Sequence, residues 1–229
     1  MTDLSEPFLL INFKTYIEAT GKRAVELSRK IETVGRDTGV KVGVAPQFCD
    51  IEQVATHVGI PVFAQHIDPV VPGAYTGHVL AESVKAAGAS GTLINHSERS
   101  LRLVDIEKSV EHAREVGLTT VVCAGTAKLA AAVALSEPDM VAIEPPELIG
   151  SGRAVSKERP EVVTESVKRI RAVNSKVKIL CGAGITTGED VYAALKLGTQ
   201  GVLVASGVVK ATKPEDVLME FCQAVRKYM

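Results

Sequence analysis

Three segments of this chain set a chemically capable side chain directly behind an apolar run. They read Ile11-Asn12-Phe13-Lys14, Ile94-Asn95-His96-Ser97-Glu98-Arg99 and Ile143-Glu144-Pro145-Pro146. A carboxylate in that position is unusual, because an acid at the end of a buried strand must find a partner or be kept for a task. An ammonium, an imidazole and a carboxylate on one rim form a constellation able to do acid–base chemistry. Taken singly, the lysine reads as a solvated charge and the histidine as a satisfied structural residue, so it is their convergence that makes a site. Three glycine-bearing segments add an anion-binding possibility: Ile149-Gly150-Ser151-Gly152, Gly182-Ala183-Gly184 and Ala205-Ser206-Gly207. Small residues let backbone N–H groups approach a phosphate dianion, and a helix start behind them adds its positive end. Each alone also reads as a tight turn.

For these segments to share a rim, something must array them. Eight short apolar runs do so, at residues 8–11, 40–45, 62–65, 92–95, 119–123, 140–143, 177–181 and 202–205. Their near-continuous hydrophobicity suits parallel strands buried on both faces. Between them, residues 24–34, 51–58, 79–87, 106–116, 128–135, 160–173, 191–197 and 217–225 carry apolar side chains three and four apart, as helices with one stripe on a sheet do. Ala87-Gly88, Val116-Gly117 and Leu197-Gly198 end three of these helices alike, with a glycine able to turn left-handed into the next strand. The pattern predicts an α/β fold: a closed (β/α)8 barrel, residues 1–229 as a single domain, with its chemistry at the C-terminal ends of the strands. An open doubly wound sheet shares the βα alternation, but no Gly-x-Gly-x-x-Gly turn follows the first run.

Composition narrows the function. Apolar residues make up 46% and charged residues 23%, and the net charge is -1, which predicts one sizeable core under a mixed surface. Without a basic patch, no nucleic-acid partner is expected. No apolar run reaches the roughly 18 to 20 residues of a membrane span, so no membrane partner is expected either. The start Met1-Thr2-Asp3-Leu4-Ser5-Glu6 lacks signal-peptide character, and a cytoplasmic location follows as an expectation. Cys49, Cys123, Cys181 and Cys222 lie far apart with no Cys-x-x-Cys pair, so they are expected as reduced thiols packed like small apolar groups, with no zinc. His57, His78 and His112 fall on or beside helices as packing or solvent-facing residues, whereas His66 follows the third run and can reach the rim.

The strand-one Asn12 and Lys14, the run His96-Ser97-Glu98-Arg99 and the pair Glu144-Pro145, in this order over eight βα units, resemble the triosephosphate isomerase family along the whole chain. Its short length and the stretch Ile11 to Tyr16 resemble the archaeal branch. The resemblance implies interconversion of dihydroxyacetone phosphate and D-glyceraldehyde 3-phosphate through an enediolate, in glycolysis and gluconeogenesis. Glu144 is then the catalytic base and His96 a neutral electrophile, with Asn12 and Lys14 completing the catalytic set; no metal and no cofactor is called for. Substrate or phosphate contacts are implied at Asn12, Lys14, Ile149, Gly150, Gly182, Gly184, Ala205 and Ser206. Ser97 and Glu98 stand behind them, Glu98 pairing with Lys14, although by itself Glu98 reads equally as a carboxylate in a first helical turn. Backbone N–H groups after His96 would favour its neutral form.

The resemblance further implies a lid over residues 145–155, with paired prolines at its first hinge. Here Pro146-Glu147 stands where the family commonly has valine and tryptophan, which alters hinge mechanics and leaves the chemistry alone. Gly73-Ala74-Tyr75-Thr76-Gly77 resembles the family's third loop, which reaches into a neighbouring subunit. A homo-oligomer is therefore expected, dimer or tetramer, with a tetramer favoured. Two rivals keep the barrel. One is a phosphate-binding synthase or isomerase of tryptophan, histidine or thiamine biosynthesis, which residues 182–209 would suit; the other is a barrel kept as a metabolite sensor or scaffold. The local contexts of Lys14, His96 and Glu144 argue against both.

Overall fold

Strands and helices alternate along the chain from the first strand to the last helix. The structure, a computed structural model, describes residues 7–150, 152 and 154–229. In order these are β1 (Phe8–Asn12), α1 (Lys22–Thr38), β2 (Lys41–Ala45), α2 (Ile51–Ala55), β3 (Phe63–Ala64), α3 (Ala81–Ala86), β4 (Gly91–Ile94), α4 (Leu103–Glu115), β5 (Thr119–Ala124) and α5 (Ala127–Ala134). There follow β6 (Met140–Ile143), α6 (Val155–Glu158), α7 (Pro160–Val173), β7 (Lys178–Cys181), α8 (Gly188–Lys196), β8 (Gly201–Val204), α9 (Ser206–Val209) and α10 (Pro214–Tyr228). All eight strands belong to one sheet, in the order β2-β1-β8-β7-β6-β5-β4-β3, and every pair is parallel. The ends of that order meet in a parallel bridge, Val44 to Val62, where the Val44 N–H donates to the Pro61 carbonyl at 3.0 Å. The sheet is therefore a nearly closed (β/α)8 barrel in one domain, and the open-sheet alternative is set aside.

Strand residues alternate between two cores. Phe8, Leu10, Phe63, Leu93, Val121, Met140 and Leu180 fill the barrel. Leu9, Ile11, Val122 and Ile143 point outward against helix stripes such as Ile31, Val110, Val163 and Phe221. The inner floor is tight: a Cβ on Gly91 would sit 2.3 Å from the Phe63 ring, so a glycine is what lets that ring fit.

Each predicted run and helix corresponds to an observed element, with shifted ends. Helices α8 and α10 begin earlier than their apolar stripes because their first turns are polar. The Thr187 side chain accepts from the Asp190 N–H and the Asp190 carboxylate accepts from the Thr187 N–H, while Pro214 opens α10. Helix α3 begins later because Asp68 takes both backbone groups of Val79: the Asp68 N–H donates to the Val79 carbonyl at 2.8 Å, and the Val79 N–H donates to Asp68 Oδ2 at 2.7 Å. Gly88, Gly117 and Gly198 adopt φ of 93°, 72° and 95°, the left-handed turn their positions called for. One expectation is corrected. Cys123, Cys181 and Cys222 are buried free thiols, but Cys49 is exposed, because the short turn after β2 carries it outside the sheet. Among the described residues no helix is long and apolar enough to cross a membrane. Met1 to Glu6 and Ser151 lie outside the described residues.

Candidate active site

Strand parity delivers the first two groups. Phe8 and Leu10 point into the barrel, so Asn12 is the next inward residue of β1; Met140 and Ala142 do the same for Glu144 beyond β6. Asn12 Oδ1 accepts from the Lys14 N–H at 2.9 Å and folds the chain so that Lys14 takes φ 48°. That left-handed backbone is unfavourable for lysine and needs support. Gln65 supplies it, its Nε2 donating to the Lys14 carbonyl at 2.8 Å and to the Ala45 carbonyl at 3.0 Å. The largely buried Lys14 ammonium then reaches Glu98 Oε1 at 2.7 Å. Because Glu98 is more than half exposed, the pair is worth about 1 kcal/mol or less, and its effect is to aim the ammonium.

His96 caps a single 3-10 turn, Ser97–Arg99. The Glu98 N–H donates to His96 Nδ1 at 3.2 Å, so the ring's hydrogen sits on Nε2 and faces the cavity. The turn is fixed by Asn95 at φ 60°, whose Nδ2 donates to the Cys123 carbonyl at 2.8 Å and whose Oδ1 accepts from the Leu101 N–H at 2.8 Å. Ser97 contributes its carbonyl, which accepts from Ser100 Oγ at 3.4 Å.

Glu144 is 5% exposed, and its Oε2 has no hydrogen-bond partner among the described residues. Its Oε1 lies 3.7 Å from His96 Nε2, too far for a hydrogen bond. A carboxylate and a ring nitrogen therefore face each other across a gap. A buried carboxylate oxygen without a partner costs stability, so its retention points to use. Gly182 lies directly behind this carboxylate: a Cβ there would stand 2.4 Å from Glu144 Cγ. Burial and then the Glu144 charge push the Cys123 thiol well above its ordinary range, so it is a neutral group beside the carboxylate.

Asn12, Lys14, His96 and Glu144 line one cavity, together with Ile149, Gly150, Gly184, Ala205 and Ser206. Gly182 stands apart from that wall, as the surface against which Glu144 rests. Ile185 and Thr186, which the sequence did not single out, belong to the wall. The short helix α9 starts at Ser206, directing first-turn N–H groups towards the same space. Gly207 allows the two loops to meet, since a Cβ there would lie 2.7 Å from the Ile185 carbonyl.

His66 is turned away from this cavity. It is buried, and its Nε2 faces Asp68 Oδ1 at 3.0 Å. Burial lowers its pKa. Burial works to raise Asp68, but bonds from His66 and the Val79 N–H, with Arg99 nearby, hold that carboxyl low. The pair secures the loop after β3. His57 and His78 are exposed. Among the described residues no group of three or more His, Cys, Asp and Glu side chains is arranged to hold a metal ion.

Residues 7–225 match the family model described as triosephosphate isomerase. The chain is 53% identical over 222 residues to a triosephosphate isomerase of Methanosarcina acetivorans, covering 97% of this chain and all of that one. It is 49% identical over 217 residues to that of Methanocaldococcus jannaschii, covering 95% and 99%. In fold it resembles a crystal structure of triosephosphate isomerase from Bartonella henselae, with a TM-score of 0.78 at 21% identity over 96% of this chain and 99% of that one.

Proposed function

The chain belongs to the triosephosphate isomerase family, and on that premise we propose that it interconverts dihydroxyacetone phosphate and D-glyceraldehyde 3-phosphate with Glu144 as base and His96 as electrophile. Glu144 takes a proton from the carbon beside the carbonyl, and the C–H electrons form the carbon–carbon double bond of an enediolate. The same carboxyl returns the proton to the neighbouring carbon, while the hydroxyl proton passes from one oxygen to the other by way of His96 Nε2. Negative charge grows on oxygen, where His96 Nε2–H donates and the Lys14 ammonium neutralises. Asn12 spends its Oδ1 on the Lys14 N–H, which leaves its amide N–H groups for the substrate. The phosphate is held by backbone N–H groups around Gly184 and Ser206, with Ala205, Ile149 and Gly150 closing the wall. Every group required is a side chain or a backbone amide, so the proposal calls for no cofactor.

The observation that carries this reading is the unpartnered Glu144 Oε2 beside a correctly hydrogenated His96. The test is a coupled isomerase assay in both directions on the unaltered chain, Glu144→Gln and His96→Ala. Glu144→Gln is expected to lose about a thousandfold in kcat and His96→Ala about a hundredfold. Full turnover by Glu144→Gln would remove the base assignment, and an inactive unaltered chain would remove the reading.

The same proposal includes a cytoplasmic enzyme of glycolysis and gluconeogenesis, of archaeal type, acting as a homo-oligomer with a tetramer favoured. Support for association comes from the loops after β1, β2 and β3, neighbours in the barrel wall, which expose Ile17, Phe48, Val71 and Tyr75. Exposed apolar groups concentrated on adjacent loops mark a surface that another copy can cover.

A further inference from the structure

Helix α6 begins at the lid's last residue and rests on the loop between β7 and α8 and on the first turn of α8. Three bonds join them. The Val155 N–H donates to the Ala183 carbonyl at 3.2 Å, Ser156 Oγ donates to the Asp190 carbonyl at 3.1 Å, and the Lys157 ammonium meets Asp190 Oδ1 at 2.8 Å. Asp190 is 4% exposed, and its two carboxylate oxygens face different ways. Oδ2 accepts from the Thr186 N–H at 3.0 Å and the Thr187 N–H at 2.9 Å. Thr186 belongs to the phosphate end of the cavity wall, with Gly184 and Ile185. One carboxylate thus grips the phosphate loop with one oxygen and the foot of the lid with the other.

We infer that Lys157 is a positioning residue: through Asp190 it seats the C-terminal foot of the lid on the phosphate loop and sets that loop's affinity for the dianion. The inference rests on the isomerase reading above. The Lys157 ammonium bonds to Asp190 and Glu189, neither of which lines the cavity, so its effect on the phosphate loop passes through Asp190. Burial works to raise the Asp190 carboxyl, and the bonds from Lys157, Thr186 and Thr187 outweigh it and hold it low; the bond to Asp190 in turn raises Lys157. Without the ammonium, Asp190 Oδ1 would be a buried charged acceptor short of its partner, and the loop it anchors would relax towards whatever else can bond it. A second ion pair, Arg159 Nη1 to Glu147 Oε1 at 2.8 Å, ties this foot to the lid's first hinge, so the lid is rooted as a unit.

The test compares the unaltered chain with Lys157→Gln, Lys157→Arg and Glu189→Gln in the isomerase assay, with inorganic phosphate as competitive inhibitor. Lys157 is nearly half exposed, so its replacement leaves the core intact. For Lys157→Gln, KM and the phosphate inhibition constant are expected to rise about tenfold, with kcat changed less than about threefold. Lys157→Arg should recover most of both. Glu189, exposed and touching the same ammonium at 3.3 Å, bonds nothing in the phosphate loop, so Glu189→Gln should match the unaltered chain. Unchanged constants in Lys157→Gln, or a lowered thermal midpoint with unchanged constants, would overturn the inference and leave the isomerase reading standing. An unaltered chain that neither isomerises triose phosphates nor is inhibited by phosphate would sink that reading, and the inference with it.

Discussion

At the scale of single residues, the site depends on how Glu144 is held. Its carboxylate leans on the bare α-carbon of Gly182, with no room for one methyl group between them. Gly182→Ala is therefore expected to push the base out of line and lower kcat about a hundredfold, while circular dichroism and the melting temperature stay close to those of the unaltered chain. Unaltered kinetics would mean that the carboxylate has slack which the structure denies it. Glu144, His96 and Lys14 were legible because each stands immediately beyond an apolar run. Their supporters were not. Gln65 acts on a backbone carbonyl 51 positions away, and Cys123 meets Glu144 only because β5 and β6 pair Cys123 with Ala142. Such contacts depend on register, which no local pattern encodes.

At the scale of elements, two short helices carry weight that their length conceals. Helices α6 and α9 have four residues each, about one turn, too few for an apolar stripe to repeat, so periodicity is blind to them. One roots the proposed lid, and the other borders the cavity where the phosphate is proposed to bind. The longer elements were legible from their stripes, and it was their ends, such as the polar first turns of α8 and α10, that went unseen. Ile149, Gly150 and Gly152 of the lid line the cavity, so excising residues 149–152 should expose the enediolate to water. The enediolate's electron pair can then expel the phosphate by breaking its C–O bond, and the enol left behind tautomerises to methylglyoxal. A rise in inorganic phosphate per isomerisation turnover, from trace to a major share, is the expected readout; an unchanged product ratio would show that the lid does not seal the site.

At the scale of the whole molecule, the sheet and helices enclose thiols that must stay protonated. Burial, then the Glu144 and Asp190 charges, push Cys181 up to about 12 from 9.0. A group whose folded pKa is raised contributes stability that is complete below its unfolded value and is lost as pH climbs through the folded one. The window here runs from pH 9.0 to about 12. Urea midpoints measured at about pH 8 and about pH 10.5 should fall less for Cys181→Ala than for the unaltered chain, and parallel falls would assign the alkaline loss elsewhere. The closed barrel was legible from eight runs in sequence order, but not the contact that closes it. That contact is a bridge between Val44 and Val62, a pairing of two strands whose runs look like all the others.

The joint between β2 and β3 rests on one bridge, and the side chains that cross it are already familiar. Gln65, beyond β3, holds the carbonyls of Ala45 at the end of β2 and Lys14 beyond β1, while the Lys14 ammonium clasps Glu98 beyond β4. Above a joint where the backbone ladder is down to one bridge, the polar groups proposed to aim the electrophilic half of the chemistry also serve as the hoop. Any drift in that hoop would therefore register as a change in catalytic alignment before it registered as a loss of fold.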